Sequence, residues 1–108
     1  MLIRLSSLTP CLFAAALLVV TAQGSGTAFP LSGGYGFDWL QPRTSRCRLV
    51  SPAEVPAMGA CTFRADGRAF GLALPHHVCT LSSRNQYLVY ATQQQCLEAF
   101  DTMQTHAE

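Results

Sequence analysis

The residues best suited to chemistry in this sequence are two adjacent histidines, His76 and His77. Imidazole is the commonest metal ligand among side chains, and it titrates near neutral pH. Adjacent residues of an extended chain point to opposite faces, so a single metal ion could not readily bind both rings. No spacing in the chain implies a third ligand from His106 or a carboxylate. We therefore predict no cofactor and no metal site, with His76 and His77 as weak candidates for zinc or copper.

The cysteines indicate covalent cross-links rather than a reactive site. Their gaps of 14, 18 and 17 residues are wider than the Cys-x2-Cys spacing of zinc sites, and no Cys-x-x-Cys redox pair occurs. The chain has five cysteines, and Cys11 lies in the predicted signal peptide described below. The four that remain in the exported chain, an even count, indicate two disulfides. Three pairings are open, and we favour those that each flank one local unit, Cys47 with Cys61 and Cys79 with Cys96. A thiol-active protein with one cycling pair is an alternative.

Motifs for catalysis are missing from the sequence. There is no Gly-x-Ser-x-Gly elbow, and the segment Gly33 to Gly36 lacks the flanking strand and helix of a phosphate-binding loop. Glu98 and Asp101 are neighbours on one face of a predicted helix, where a solvated surface is the simpler interpretation. We therefore predict that the protein is not an enzyme.

The N-terminal region has the pattern of a secretory signal peptide. A short basic start is followed by an apolar run from Cys11 to Val20, and small residues precede a cleavage site at Gln23. A membrane anchor would need about 20 apolar residues, and this run is shorter. We assign residues 1–22 to the signal peptide, expect no membrane span after its removal, and predict a periplasmic or secreted protein.

The charge balance argues against nucleic-acid binding. All seven basic residues are arginines, and Arg4 leaves with the signal peptide, so the remaining six balance the six acidic residues. Proteins that bind nucleic acids usually carry a strong basic excess on one face. We therefore expect no nucleic-acid partner.

After the signal peptide, the glycine- and serine-rich residues 23–36 suggest a flexible leader, and residues 37–108 a single small domain. Four large apolar residues stand at their junction: Tyr35, Phe37, Trp39 and Leu40. They either dock on the core or form an exposed aromatic patch that binds a partner.

Turn signals in the second half of the chain suggest hairpins. Asp66 and Gly67 fit the centre of a type I′ turn, which would set Phe63 opposite Phe70 and Cys61 opposite Leu72. Residues 78–81 are expected to pair with the strand at 87–90.

Two helix starts are also recognisable. Ser51 followed by Pro52 and Glu54 predicts a short helix over 52–58, interrupted by Pro56. Thr92 with Gln95 forms a second capping signal, and it opens a longer amphipathic helix. Its apolar stripe comprises Cys96, Phe100, Met103 and Ala107, with Leu97 and Ala99 beside it.

These patterns together predict a small disulfide-stapled α+β domain with one or two β-hairpins and a C-terminal amphipathic helix. The function we expect is that of a non-catalytic binding or interaction module of the bacterial envelope. Its partner would be another envelope protein, bound through residues 35–40. The alternatives are a periplasmic zinc- or copper-binding protein and the thiol-active protein described above.

Overall fold

The computed structural model describes residues 27–106, so the predicted signal peptide lies outside the described residues. Within this range the elements are β1 (Tyr35–Asp38), β2 (Arg48–Leu49), a 3₁₀ helix (Pro52–Met58), β3 (Ala60–Arg64), β4 (Arg68–Ala69), β5 (Leu72–Ala73), β6 (His76–Ser82), β7 (Asn85–Tyr90) and α1 (Gln93–His106). The predicted α+β class and C-terminal helix are confirmed.

Antiparallel pairing joins five strands into one sheet, in the order β2-β1-β7-β6-β3. The hairpin of β6 and β7 occupies its centre, and the predicted pairing of these two segments is confirmed. The register sets Val78 opposite Leu88 and Cys79 opposite Tyr87. The strands β4 and β5 form a separate two-stranded sheet. This small sheet is an arm inserted between β3 and β6 along the chain.

The main sheet has a separate buried apolar cluster on each of its two faces. Under α1 the buried residues are Phe37, Leu88, Tyr90, Cys96, Ala99 and Met103. On the opposite face, beside the 3₁₀ helix, they are Val50, Met58, Cys79 and Val89. Alternate residues of a strand point to opposite faces, so β7 contributes Leu88 and Tyr90 to one cluster and Val89 to the other.

The helix α1 begins as its capping residue predicts. The Gln95 backbone N–H donates a hydrogen bond to Thr92 Oγ1 at 3.1 Å, which satisfies one of the free amide groups at the helix start. Farther along, the Phe100 ring stands edge-on to Phe37, with 5.3 Å between ring centroids. The helix therefore packs on β1 through the ring of Phe37.

The disulfides join Cys47 to Cys96 and Cys61 to Cys79, so the predicted pairing is wrong. The cause is the strand order, because β3 pairs with β6 and places Cys61 directly opposite Cys79, with their Cα atoms 4.0 Å apart. Cys47 immediately precedes β2 and bonds to Cys96 on the buried side of α1. Cys47–Cys96 spans 49 residues, whereas Cys61–Cys79 spans only 18 and joins two neighbouring strands of the sheet.

The predicted hairpin around Asp66 and Gly67 is also wrong in its register. The chain does turn there, since the Gly67 N–H donates to the Arg64 carbonyl at 3.2 Å. However, β3 pairs with β6 over five residue pairs, and Phe63 faces His77 instead of Phe70. Gly67 has a positive φ of 64°, but the two-residue turn in which both residues have positive φ lies later, at Phe70 (φ 55°) and Gly71 (φ 81°), between β4 and β5.

Part of the segment predicted to be a flexible leader, residues 23–36, contacts the sheet. Tyr35 and Gly36 already belong to β1. The ring of Phe29 stands edge-on to His77 at 4.7 Å, and its carbonyl oxygen lies 2.6 Å from His77 Nε2. Gly36 is buried against β7, where an added Cβ would lie 2.9 Å from the Leu88 carbonyl oxygen. The second half of the segment is therefore part of the packed domain, and residues 23–26 lie outside the described residues.

The position of Phe37 yields a stability prediction. Replacing this fully buried ring, Phe37→Ala, should lower the free energy of unfolding by about 3–5 kcal/mol, because a cavity opens under α1. The matched control Leu97→Ala, at a side chain that is 44% exposed, should change it by less than about 1 kcal/mol. Denaturant unfolding with intact disulfides measures both. Equal small effects would show that Phe37 is not a core residue.

Candidate functional site

The most unusual exposed side chain is Trp39, which is fixed in place although 37% of it is exposed. Its Nε1–H donates a hydrogen bond to Gln86 Oε1 at 2.6 Å, and Gln86 Nε2–H donates in turn to Thr80 Oγ1 at 2.8 Å. Its ring also stands near edge-on to Phe70, with centroids 6.3 Å apart. An aromatic ring held this way loses little further freedom when it binds something.

The backbone that carries Trp39 is anchored by the buried carboxylate of Asp38. Asp38 Oδ1 accepts hydrogen bonds from the backbone N–H groups of Leu40 at 3.0 Å and Gln86 at 3.1 Å. Asp38 Oδ2 accepts another from Asn85 Nδ2 at 2.8 Å. These bonds tie the end of β1 to the start of β7, and thereby fix the place where Trp39 leaves the sheet.

Beside Trp39 lies an open cleft of about 420 Å³. The helix α1 covers this face of the sheet mainly over β1 and β7. Residues of the β4–β5 arm border the same cleft as residues of β3 and β6. The cleft lies among the sheet, the arm and Trp39. Its lining residues are Trp39, Arg64, Arg68, Ala69, Phe70, His76, Val78, Gln86 and Leu88.

The charged groups of the cleft are cationic. Arg68 Nε lies 3.7 Å from Asp66 Oδ2, but the two side chains are 83% and 56% exposed, so this ion pair is weak. Arg64 makes no ion pair with any residue of the described range 27–106. No carboxylate is among the residues that line the cleft. The cleft therefore favours a negatively charged group over a positive one.

His76 lies against this cleft with only 2% of its surface exposed. Its Nδ1 lies 2.8 Å from the Leu74 carbonyl oxygen, which assigns a proton to Nδ1 and leaves Nε2 as an acceptor in the neutral ring. Burial lowers the pKa of His76, and the nearby positive charge of Arg64 acts in the same direction, while the bond to Leu74 opposes both. The neutral imidazole is therefore the favoured form in the folded protein.

The two adjacent histidines lie on opposite faces of the sheet. His76 faces the cleft, whereas His77 packs beside Phe29 and Phe63 on the other face. In residues 27–106, no group of three His, Cys, Asp or Glu side chains is arranged to hold a metal ion. The separation follows from the strand alternation used to predict it.

The structure divides the four residues predicted to bind a partner. Phe37 is fully buried in the core, so an exposed recognition role for it is wrong. Tyr35 is half-buried and packs against the same cluster. Trp39 and Leu40 are each 37% exposed, and they alone of the four present substantial surface. Phe37 and Trp39, two positions apart, both have ring contacts with Phe70. Phe37 is buried because it lies within β1 and meets Phe100 of α1, whereas Trp39 lies in the turn that follows β1.

Several residues of the cleft could not be found from the sequence. Arg64 faces it because β3 pairs with β6, which places Arg64 opposite His76. Arg68 and Phe70 reach it because the β4–β5 arm folds back toward the sheet. No local motif signals either arrangement, since both depend on pairing between distant segments.

Comparison of the chain with protein-family models, with curated proteins and with solved structures found no match. Within residues 27–106, the helices are too short or too polar to cross a membrane.

Burial of His76 predicts a dependence of stability on pH. Because its pKa is lower in the folded chain than the ordinary 6.5, the unfolded chain binds more protons between the two values. Stability from this group should be complete above about pH 6.5 and should decrease as the pH falls toward the folded pKa.

Thermal or denaturant unfolding between about pH 4 and 8 measures this effect. The variant His76→Gln should lose this part of the dependence, whereas His106→Gln, at an exposed position of α1, should keep it. An unchanged pH profile in His76→Gln would contradict the assignment. Arg64, Asp66 and His77 are the charged or titratable groups that act on His76, and all three remain in both variants.

Proposed function

We propose that this protein is a small exported binding module without catalytic activity, acting in the bacterial envelope, and that the cleft beside Trp39 is its binding site. The observation that carries the proposal is an exposed tryptophan held by a hydrogen bond to Gln86 at the edge of a formed cleft. Large aromatic residues in fixed positions are frequent centres of recognition.

Export is supported by the covalent structure. Two disulfides link the folded domain, and such bonds persist in oxidising compartments such as the periplasm or the exterior of the cell. The N-terminal residues 1–22, with their basic start and apolar run, have the pattern of a signal peptide. Together they favour a periplasmic or secreted protein whose partner lies in the same compartment.

A binding role is favoured over catalysis by the chemistry of the cleft. The described residues that line it supply apolar surface, two guanidinium groups, an amide and one buried imidazole. They include no hydroxyl or thiol nucleophile and no carboxylate to serve as an acid or base. Arginine and aromatic side chains are the residue types that most often dominate recognition surfaces.

A ligand screen observed by NMR tests the proposal. Trp39 is the one tryptophan of the chain, so its indole N–H gives a single reporter signal in the cleft. We expect compounds that bind to shift this signal. Their affinity, measured by calorimetry, should fall in Trp39→Ala and be kept in Leu97→Ala, and the compounds should be recovered unchanged after long incubation. Binders that leave the Trp39 signal unmoved, or that are chemically converted, would overturn the proposal.

A further inference from the structure

We propose that the ligand of this cleft is an organic anion in which a carboxylate or similar oxyanion is joined through one or two carbon atoms to a flat apolar group. The inference rests on the proposed function, since it assigns a chemical class to the ligand of the same cleft. It follows from how charged and aromatic groups are distributed around the site.

We infer the anionic group of the ligand from Arg64 and Arg68. Both guanidinium groups line the cleft, and a planar guanidinium can bind the two oxygens of a carboxylate with parallel hydrogen bonds. Arg64 has no ion pair within residues 27–106, and the contact of Arg68 with Asp66 is long and solvated. Either arginine can therefore turn to a ligand without breaking a strong interaction.

We infer the flat apolar group of the ligand from Trp39 and Phe70. Their rings are 6.3 Å apart and inclined at 68°, so they form two walls of a corner, and Val78 and Leu88 add aliphatic surface. A flat ring can stack on one aromatic wall and meet the other edge-on, which is the preferred geometry for aromatic contacts. The cleft, about 420 Å³, lies near the lower end of the volumes typical of small-ligand sites.

Phenylacetate is a probe that matches this description, and phenylacetamide is its neutral counterpart of nearly equal shape. The fluorescence of Trp39, the only tryptophan, should report binding directly, and calorimetry should give the affinity. We expect phenylacetate to bind about tenfold or more tightly than phenylacetamide, the ratio for losing a charge-assisted hydrogen bond.

Variants identify the groups that hold the anion. The double variant Arg64→Gln, Arg68→Gln should weaken phenylacetate binding by about tenfold or more. The matched control Arg84→Gln removes an exposed arginine that does not line the cleft, and should leave the affinity within about twofold. Far-ultraviolet circular dichroism of each variant checks that the fold is retained.

The carboxylate could belong to a free small molecule or to the carboxyl terminus of a polypeptide, and two peptide probes separate these sources. Gly-Gly-Phe with a free carboxyl group is compared with its amide. Binding of the peptide acid equal to or weaker than that of phenylacetate indicates a small-molecule ligand. Tighter binding of the acid, lost in the amide, indicates a chain terminus. Both results support the anion chemistry.

Three results would overturn the proposal: equal binding of phenylacetate and phenylacetamide, undiminished binding in the double arginine variant, or no response to any of the four probes up to about 10 mM. The ligand screen then separates the two levels of the argument. If a neutral compound shifts the Trp39 signal, the cleft is still a binding site and only the proposal of an anionic ligand is wrong. If no compound shifts the signal, both proposals are wrong.

Discussion

The rest of the structure depends on one tertiary interaction, the pairing of β3 with β6. Once Cys61 lies opposite Cys79 and Arg64 opposite His76, the eleven residues between β3 and β6 cannot continue the sheet and must leave it as an arm. Residues of that arm then border the cleft together with residues of β3 and β6. The cleft is thus a consequence of strand order, and no contiguous motif encodes it.

The two disulfides stabilise different parts of this arrangement. Cys61–Cys79 fixes the register of an edge strand, where slippage by one residue would exchange its two faces. Cys47–Cys96 spans a sequence separation of 49 residues and joins the segment before β2 to α1. In the chain-entropy model these closures stabilise the fold by about 3 and about 4 kcal/mol, a large contribution for so small a core.

Local features of the fold could be predicted from the sequence, and long-range ones could not. The cap at Thr92, the short helix over Pro52–Met58 and the pairing of β6 with β7 each follow from residues close together in the chain. The predicted disulfide pairing failed because the pairing depends on which strands are neighbours, and Cys61 meets Cys79 only because β3 pairs with β6.

In the candidate site, too, the features set by neighbouring residues were predictable and those set by long-range pairing were not. The opposite orientation of His76 and His77 needs only the alternation of a strand, and it was predictable. The convergence of Arg64 and Phe70 needs the path of the arm, which depends on long-range pairing. Phe37 and Trp39 are both aromatic and only two positions apart. Their residue types and spacing do not show which of the two α1 will cover.

The backbone of Phe70 has a consequence for how the cleft behaves. Its φ of 55° lies in a region that costs a non-glycine residue about 1–3 kcal/mol, and the ring contacts with Phe37 and Trp39 must offset that cost. These contacts therefore help to hold the arm in place. A ligand ring seated between Trp39 and Phe70 would add a contact to the same side chain. The width of the cleft and its occupancy are in this way thermodynamically linked.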